Sequence, residues 1–178
     1  MCAEGERLLR QGQLDAAERQ FRNAHALEPR NYNVLNALAL IALDRGDATA
    51  AIALLTRACE LSPDQPTPRV NLGNAFARLG RYDDAIGQYD VALTLRPRDV
   101  DALYNRSTAL LFSDRPGEAI DGYQRVLGVV PNHAATIKAS APTNRNAPHS
   151  SNITVRRARG LRWSNASWPI VWGPAPWS

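Results

Sequence analysis

Four prolines, Pro29, Pro63, Pro97 and Pro131, stand at strict intervals of 34 residues. Twelve residues before each lies an alanine in the same register: Ala17, Ala51, Ala85 and Ala119. Four residues after each alanine comes a large side chain, Phe21, Leu55, Tyr89 or Tyr123. Ala24, Ala58, Ala92 and Val126 follow three further on, and then Leu27, Leu61, Leu95 and Val129. A fixed period of this length marks a stack of supersecondary units, because one such unit cannot bury its apolar face alone. A helical bundle needs no such register.

Within each block the apolar residues recur at spacings of three and four, which marks one face of a helix. These helices are predicted over about 14–27, 48–61, 82–95 and 116–129. The alanines let a neighbouring helix approach closely, and the bulky residue one turn later fills the space beside them. Each proline ends its helix, because it lacks an amide hydrogen and its ring clashes with the preceding turn. Shorter partner helices are predicted over about 3–11, 32–44, 67–79 and 100–112. The turns between partners carry Gly12, Gly46 and Gly80, where a left-handed cap is expected. In the fourth block the equivalent residue is Asp114, which tolerates that conformation better than most side chains.

The third block, PTPRVNLGNAFARLGRYDDAIGQYDVALTLRPRD, resembles the tetratricopeptide repeat family. It carries Leu72-Gly73, Phe76, Ala85, Tyr89 and Pro97 at the family's spacings, with Arg69 in place of the family's first tryptophan. The second block keeps Leu38, Ala39 and Ala42, the first keeps Gly5 and Leu8, and the fourth has Arg106-Ser107 where Leu-Gly is usual. The likeness extends to the repeat arrays of bacterial tetratricopeptide proteins and of O-linked N-acetylglucosamine transferases. It implies an all-α fold, a right-handed solenoid of about four helix–turn–helix repeats. Their expected bounds are about 1–31, 32–65, 66–99 and 100–133, within an array over 1–138.

The resemblance also implies that the first helices of the repeats line a concave groove that binds peptides. One groove position reads Ala3, Ala37, Asn71 and Asn105, and the position three further on Glu6, Leu40, Asn74 and Thr108. One turn beyond come Arg10, Asp44, Arg78 and Phe112. In the transferase arrays, asparagines at the place of Asn71 and Asn105 grip peptide backbone, since an amide offers both donor and acceptor. The other reading of this pair is solvated surface, or bonds to the next repeat. Candidate groove residues are therefore Asn71, Asn105, Asn74, Arg78, Leu40 and Thr108. The family's carboxylate clamp is not supported. Its cationic sites hold Cys2, Thr67 and Asn71 here, and the only lysine in the chain is Lys138.

No phosphate loop, nucleophile elbow or zinc-protease motif appears, and no constellation places a base beside a nucleophile. His25, His133 and His149 are widely spaced, and His25 shares its repeat position with Cys59, Leu93 and Leu127. Packing is its expected role, so no catalytic residue, metal or cofactor is expected. The net charge of +4 divides unevenly. Residues 1–138 hold one acid more than they hold bases, while 139–178 hold five arginines and no acid. The basic character therefore belongs to the tail, and nucleic acid is not an expected partner of the repeats.

That tail, with Trp163, Trp168, Trp172 and Trp177 among prolines and arginines, reads as an irregular and disordered segment. Its change of vocabulary near 138 suggests a truncated or out-of-frame continuation of a longer repeat gene. The amino terminus lacks the apolar core of a secretory signal, and no run approaches the roughly 20 apolar residues of a membrane span. A cytoplasmic, non-enzymatic scaffold for a protein or peptide partner is the expected function. Its rival is the repeat arm of a larger glycosyltransferase of the O-linked N-acetylglucosamine type. The partner's identity and the oligomeric state are left open.

Overall fold

The computed structural model describes residues 2–131. The expectations for 139–178 lie outside these residues. Eight helices run in order: α1 (Cys2–Arg10), α2 (Leu14–Leu27), α3 (Tyr32–Asp44), α4 (Ala48–Leu61), α5 (Pro66–Arg78), α6 (Tyr82–Leu95), α7 (Val100–Phe112) and α8 (Pro116–Val129). Each bound lies within one residue of the periodic reading. The helices pack as consecutive pairs, and each pair packs on the next. Among the described residues the fold is all-α, a stack of four helix–turn–helix repeats.

Local chemistry sets the helix ends. The backbone N–H of Gln13, Asp47, Arg81 and Arg115 each donates to the carbonyl five residues earlier, at 2.9–3.0 Å. This is the Schellman closure, and it needs a left-handed residue just before the donor. Gly12, Gly46 and Gly80 supply it with φ of 71°, 83° and 73°. Asp114 supplies it with φ of 60°, the one positive value at a non-glycine among the described residues. Several starts are capped from the side: Asp47 accepts from Ala50 N at 2.9 Å and Asp99 from Ala102 N at 3.0 Å. Pro66 and Pro116 open α5 and α8, where a missing amide hydrogen costs nothing.

The alanine and bulky series form the core. Ala17, Ala51, Ala85 and Ala119 are fully buried, as are Leu55, Tyr89 and Tyr123, with Phe21 nearly so. A Cβ on Gly73 would stand 2.5 Å from the Tyr89 ring, and one on Gly5 would stand 2.8 Å from the Phe21 ring. The small residue is therefore a seat for the aromatic ring. The fifth position of the predicted apolar stripe departs from expectation. Leu27 is 68% exposed, and Leu95 and Val129 are exposed as well. This position is the last helical residue, where the chain is already turning away from the stack toward the proline.

The fourth repeat meets the same packing problem differently. Ser107 stands where Gly73 stands in the third repeat, and its hydroxyl donates to Leu103 O at 2.7 Å. Room for it comes from Gly122, whose Cβ would collide with the Ser107 hydroxyl. Gly122→Ala should therefore destabilise by about 1–3 kcal/mol through overpacking. In a Ser107→Gly background the same alanine should instead stabilise, because glycine within a helix costs about 1 kcal/mol. Urea midpoints of the two single variants and the double variant test this coupling. Additive effects would show that the two positions do not share the space.

Candidate peptide-binding groove

The first helices of the second, third and fourth repeats stand side by side, with α5 touching both α3 and α7. Equivalent positions thus form rows across the stack. Asn71 and Asn105 occupy one row, and each is about 1% exposed. Asn71 Nδ2 donates to Asn36 Oδ1 of α3 at 2.9 Å. Asn105 Nδ2 donates to Asn74 Oδ1 of α5 at 3.0 Å. The amides are thus neither solvated surface nor bonded to the next repeat: they bond to the preceding one. Burial of an amide is costly without partners, so these bonds also fix the registry of α3, α5 and α7. Asn105 Oδ1 is buried with no partner among the described residues.

A second row is supported from the core. Tyr89 of α6 donates its hydroxyl to Asn74 Oδ1 at 2.6 Å. One repeat later, Tyr123 of α8 bonds to Thr108 Oγ1 at 2.9 Å, and Thr108 donates to Tyr104 O at 3.0 Å. The two tyrosines thus support equivalent candidate positions on α5 and α7. Burial pushes the Tyr89 phenol far above its ordinary range and raises that of Tyr123 as well. Both therefore stay protonated and able to donate. In the second repeat the same places hold Leu40 and Leu55, both buried, so the equivalent pair is apolar there.

At the third row Arg78 is half-buried, and its Nη1 donates to Leu43 O across the α3–α5 contact. Burial lowers its pKa, with the nearby Asp44 carboxylate opposing that shift. Burial likewise raises the pKa of Asp44, and Arg78 acts against it. Phe112 follows in α7, stacked on Tyr82 with ring centroids 5.0 Å apart.

All six sequence-derived candidates therefore lie on α3, α5 or α7, but Leu40, Asn71, Asn74 and Asn105 are buried. Sequence reasoning did not select Asn36, Tyr89 or Tyr123 as groove partners. The available signal was the tyrosine and polar residue 15 positions apart, recurring as 74/89 and 108/123. No group of three or more histidine, cysteine or acidic side chains suited to a metal occurs among the described residues. No helix among them is long and apolar enough to cross a membrane.

Comparison with known proteins agrees with this architecture. A tetratricopeptide repeat profile matches residues 2–66 and 70–135, and a second one matches 42–93. The small glutamine-rich tetratricopeptide repeat-containing protein 2 of Mycosarcoma maydis is 30% identical over 121 residues, covering 68% of this chain and 34% of that protein. The DnaJ homolog subfamily C member 7 homolog of Schizosaccharomyces pombe is 29% identical over 147 residues, covering 74% and 31%. The chain thus spans about a third of the length of these relatives.

Among solved structures, MamA superposes with a TM-score of 0.69 at 21% identity, over 76% of this chain and 79% of that one. YrrB, described as a TPR protein with an unusual peptide-binding site, gives 0.68 at 21% identity over 76% and 70%. The Thermobaculum terrenum O-GlcNAc transferase gives 0.59 at 29% identity over 61% and 21%. With one profile spanning nearly all the described residues, the chain belongs to the tetratricopeptide repeat family, helical repeat proteins whose general work is protein–protein interaction.

Proposed function

We propose that this chain is an interaction scaffold that holds a peptide segment of a partner protein along α1, α3, α5 and α7. The observation carrying this reading is the side-by-side packing of α3, α5 and α7. It turns equivalent positions into rows that a single extended chain can follow. Leu40 and Asn74 form the floor, Thr108 and Arg78 are partly open, and Asn71 and Asn105 line the joints between repeats. The likeness to a peptide-binding YrrB supports the same reading through the fold. A second reading, the repeat arm of a glycosyltransferase of the O-GlcNAc type, is favoured by the 29% identity to that transferase. The repeats hold a polypeptide under both.

Photo-crosslinking tests the reading directly. Peptides selected by the full chain and carrying a photoreactive side chain should label α1, α3, α5 and α7, not α2, α4, α6 and α8. Asn71→Ala/Asn105→Ala should weaken such a peptide by roughly 1–3 kcal/mol in calorimetry, at about 0.5–1.5 per hydrogen bond. An unaltered dissociation constant with intact helix content would leave these amides a purely structural role between repeats.

A further inference from the structure

Many charges on this chain are neutralised locally, as in Arg7–Glu4, Arg57–Glu60, Arg81–Asp84 and Arg115–Glu118. Asp44 and Arg78 are different. They occupy one register position on adjacent helices, yet neither enters an ion pair among the described residues. Asp44 is exposed and Arg78 half-buried, and the two act on each other only at a distance. Arg78 Nε is buried without a partner, while Nη1 is tied to Leu43 O. That tie orients the guanidinium before any ligand arrives, which lowers the ordering cost of binding. With Nε enclosed and Nη1 tied, Nη2 is the donor left to meet a carboxylate.

The row continues to Phe112, which is 43% exposed and is the one aromatic among the large exposed apolar side chains of the described residues. Its stacking on Tyr82 holds the ring in place. Across α3, α5 and α7 the row therefore reads acid, base, aromatic. Neighbouring helix axes lie about 8–10 Å apart, and an extended peptide advances about 3.3 Å per residue. One repeat thus matches about three peptide residues.

Resting on the groove reading above, we propose that this row selects the partner. The ligand is an extended segment with a basic side chain for Asp44, an acidic one for Arg78 and an apolar or aromatic one for Phe112. Successive anchors are about three residues apart. The opposite signs reject a peptide entered in the wrong register, since like charges would then meet.

A phage-displayed random peptide library panned on the full chain tests this proposal. Enriched peptides should share the basic, acidic and apolar anchors at that spacing. Arg78→Gln should weaken an enriched peptide roughly tenfold, and should hardly affect the same peptide with its acid replaced by glutamine. The charge-swapped D44R/R78E chain should enrich peptides with the two charges exchanged. Its thermal melt followed by circular dichroism checks folding, and Asp44→Asn with Arg78→Gln carries the test if the swap fails to fold. A consensus lacking the spaced charges, or one unmoved by these variants, overturns the proposal while leaving the groove in place. Peptides that label the even-numbered helices, or no enrichment at all, would overturn the groove reading and this proposal with it.

Discussion

Tyr89→Ala will destabilise the repeat array by about 3–5 kcal/mol, the range for deleting a buried aromatic side chain. The phenol ring is wholly enclosed, and its closest seat is Gly73, which has no side chain to move into the space. The variant also removes the hydroxyl that supports Asn74, and so loosens the bond from Asn105 at the junction with the fourth repeat. Tyr89 belongs to the largest apolar cluster, which runs from Val70 to Val126. Damage at this point should therefore spread through both the third and fourth repeats. Phe21→Ala offers a control with nearly the same number of atoms removed. Its ring sits on Gly5 in the first repeat, which is not adjacent to the third or fourth, and repeats couple only to their neighbours. Hydrogen exchange should show protection lost over α5–α8 in the first variant and only over α1 and α2 in the second. Equal loss across the whole chain in both would mean that the repeats are not nearest-neighbour units.

Stability will also fall steeply in alkali, through the same tyrosines. Burial raises the phenol pKa of Tyr89 and Tyr123 in the folded chain. In the unfolded chain both should titrate near 10. Below that pH both states keep the proton, and the contribution is fully present. Above it the unfolded chain releases protons first, so unfolding becomes more favourable as pH rises, until the folded phenols titrate. Each tyrosine contributes up to about 1.4 kcal/mol per pH unit in this window. Urea midpoints measured between pH 9 and 11.5 should drop accordingly, and Tyr89→Phe/Tyr123→Phe should flatten the decline. The buried Cys59 thiol is also raised, mainly by burial, and adds a component that begins at lower pH. Carrying Cys59→Ala through the series isolates the phenols. A decline that persists unchanged in the phenylalanine double variant would assign the alkaline loss to other groups.

Much of the architecture was legible before any coordinates, for a physical reason. A repeat period makes every local choice four times over, so that proline stops, glycine turns and alanine contacts corroborate one another. Gly12, Gly46, Gly80 and even Asp114 take the left-handed turn expected of them, because a Schellman closure leaves no other conformation at that place. Helix bounds followed to within one residue for the same reason. These are properties of short stretches of chain, in which neighbours in sequence are also neighbours in space.

Only tertiary structure decided what the groove residues touch. Periodicity aligned Asn71 with Asn105 but could not choose between open surface and a bond to another repeat. That choice depends on Asn36 and Asn74, which lie 35 and 31 residues earlier in the chain. Ser107 looked like a defect in the family pattern until Gly122 stood opposite it, 15 residues away on the partner helix. Leu27 fitted the apolar stripe by spacing, yet it lies exposed where the helix leaves the stack. In each case the deciding contact joins residues on different turns or different helices. Spacing fixes which positions are equivalent; the packing of α3, α5 and α7 against one another determines which of their side chains meet water and which meet each other.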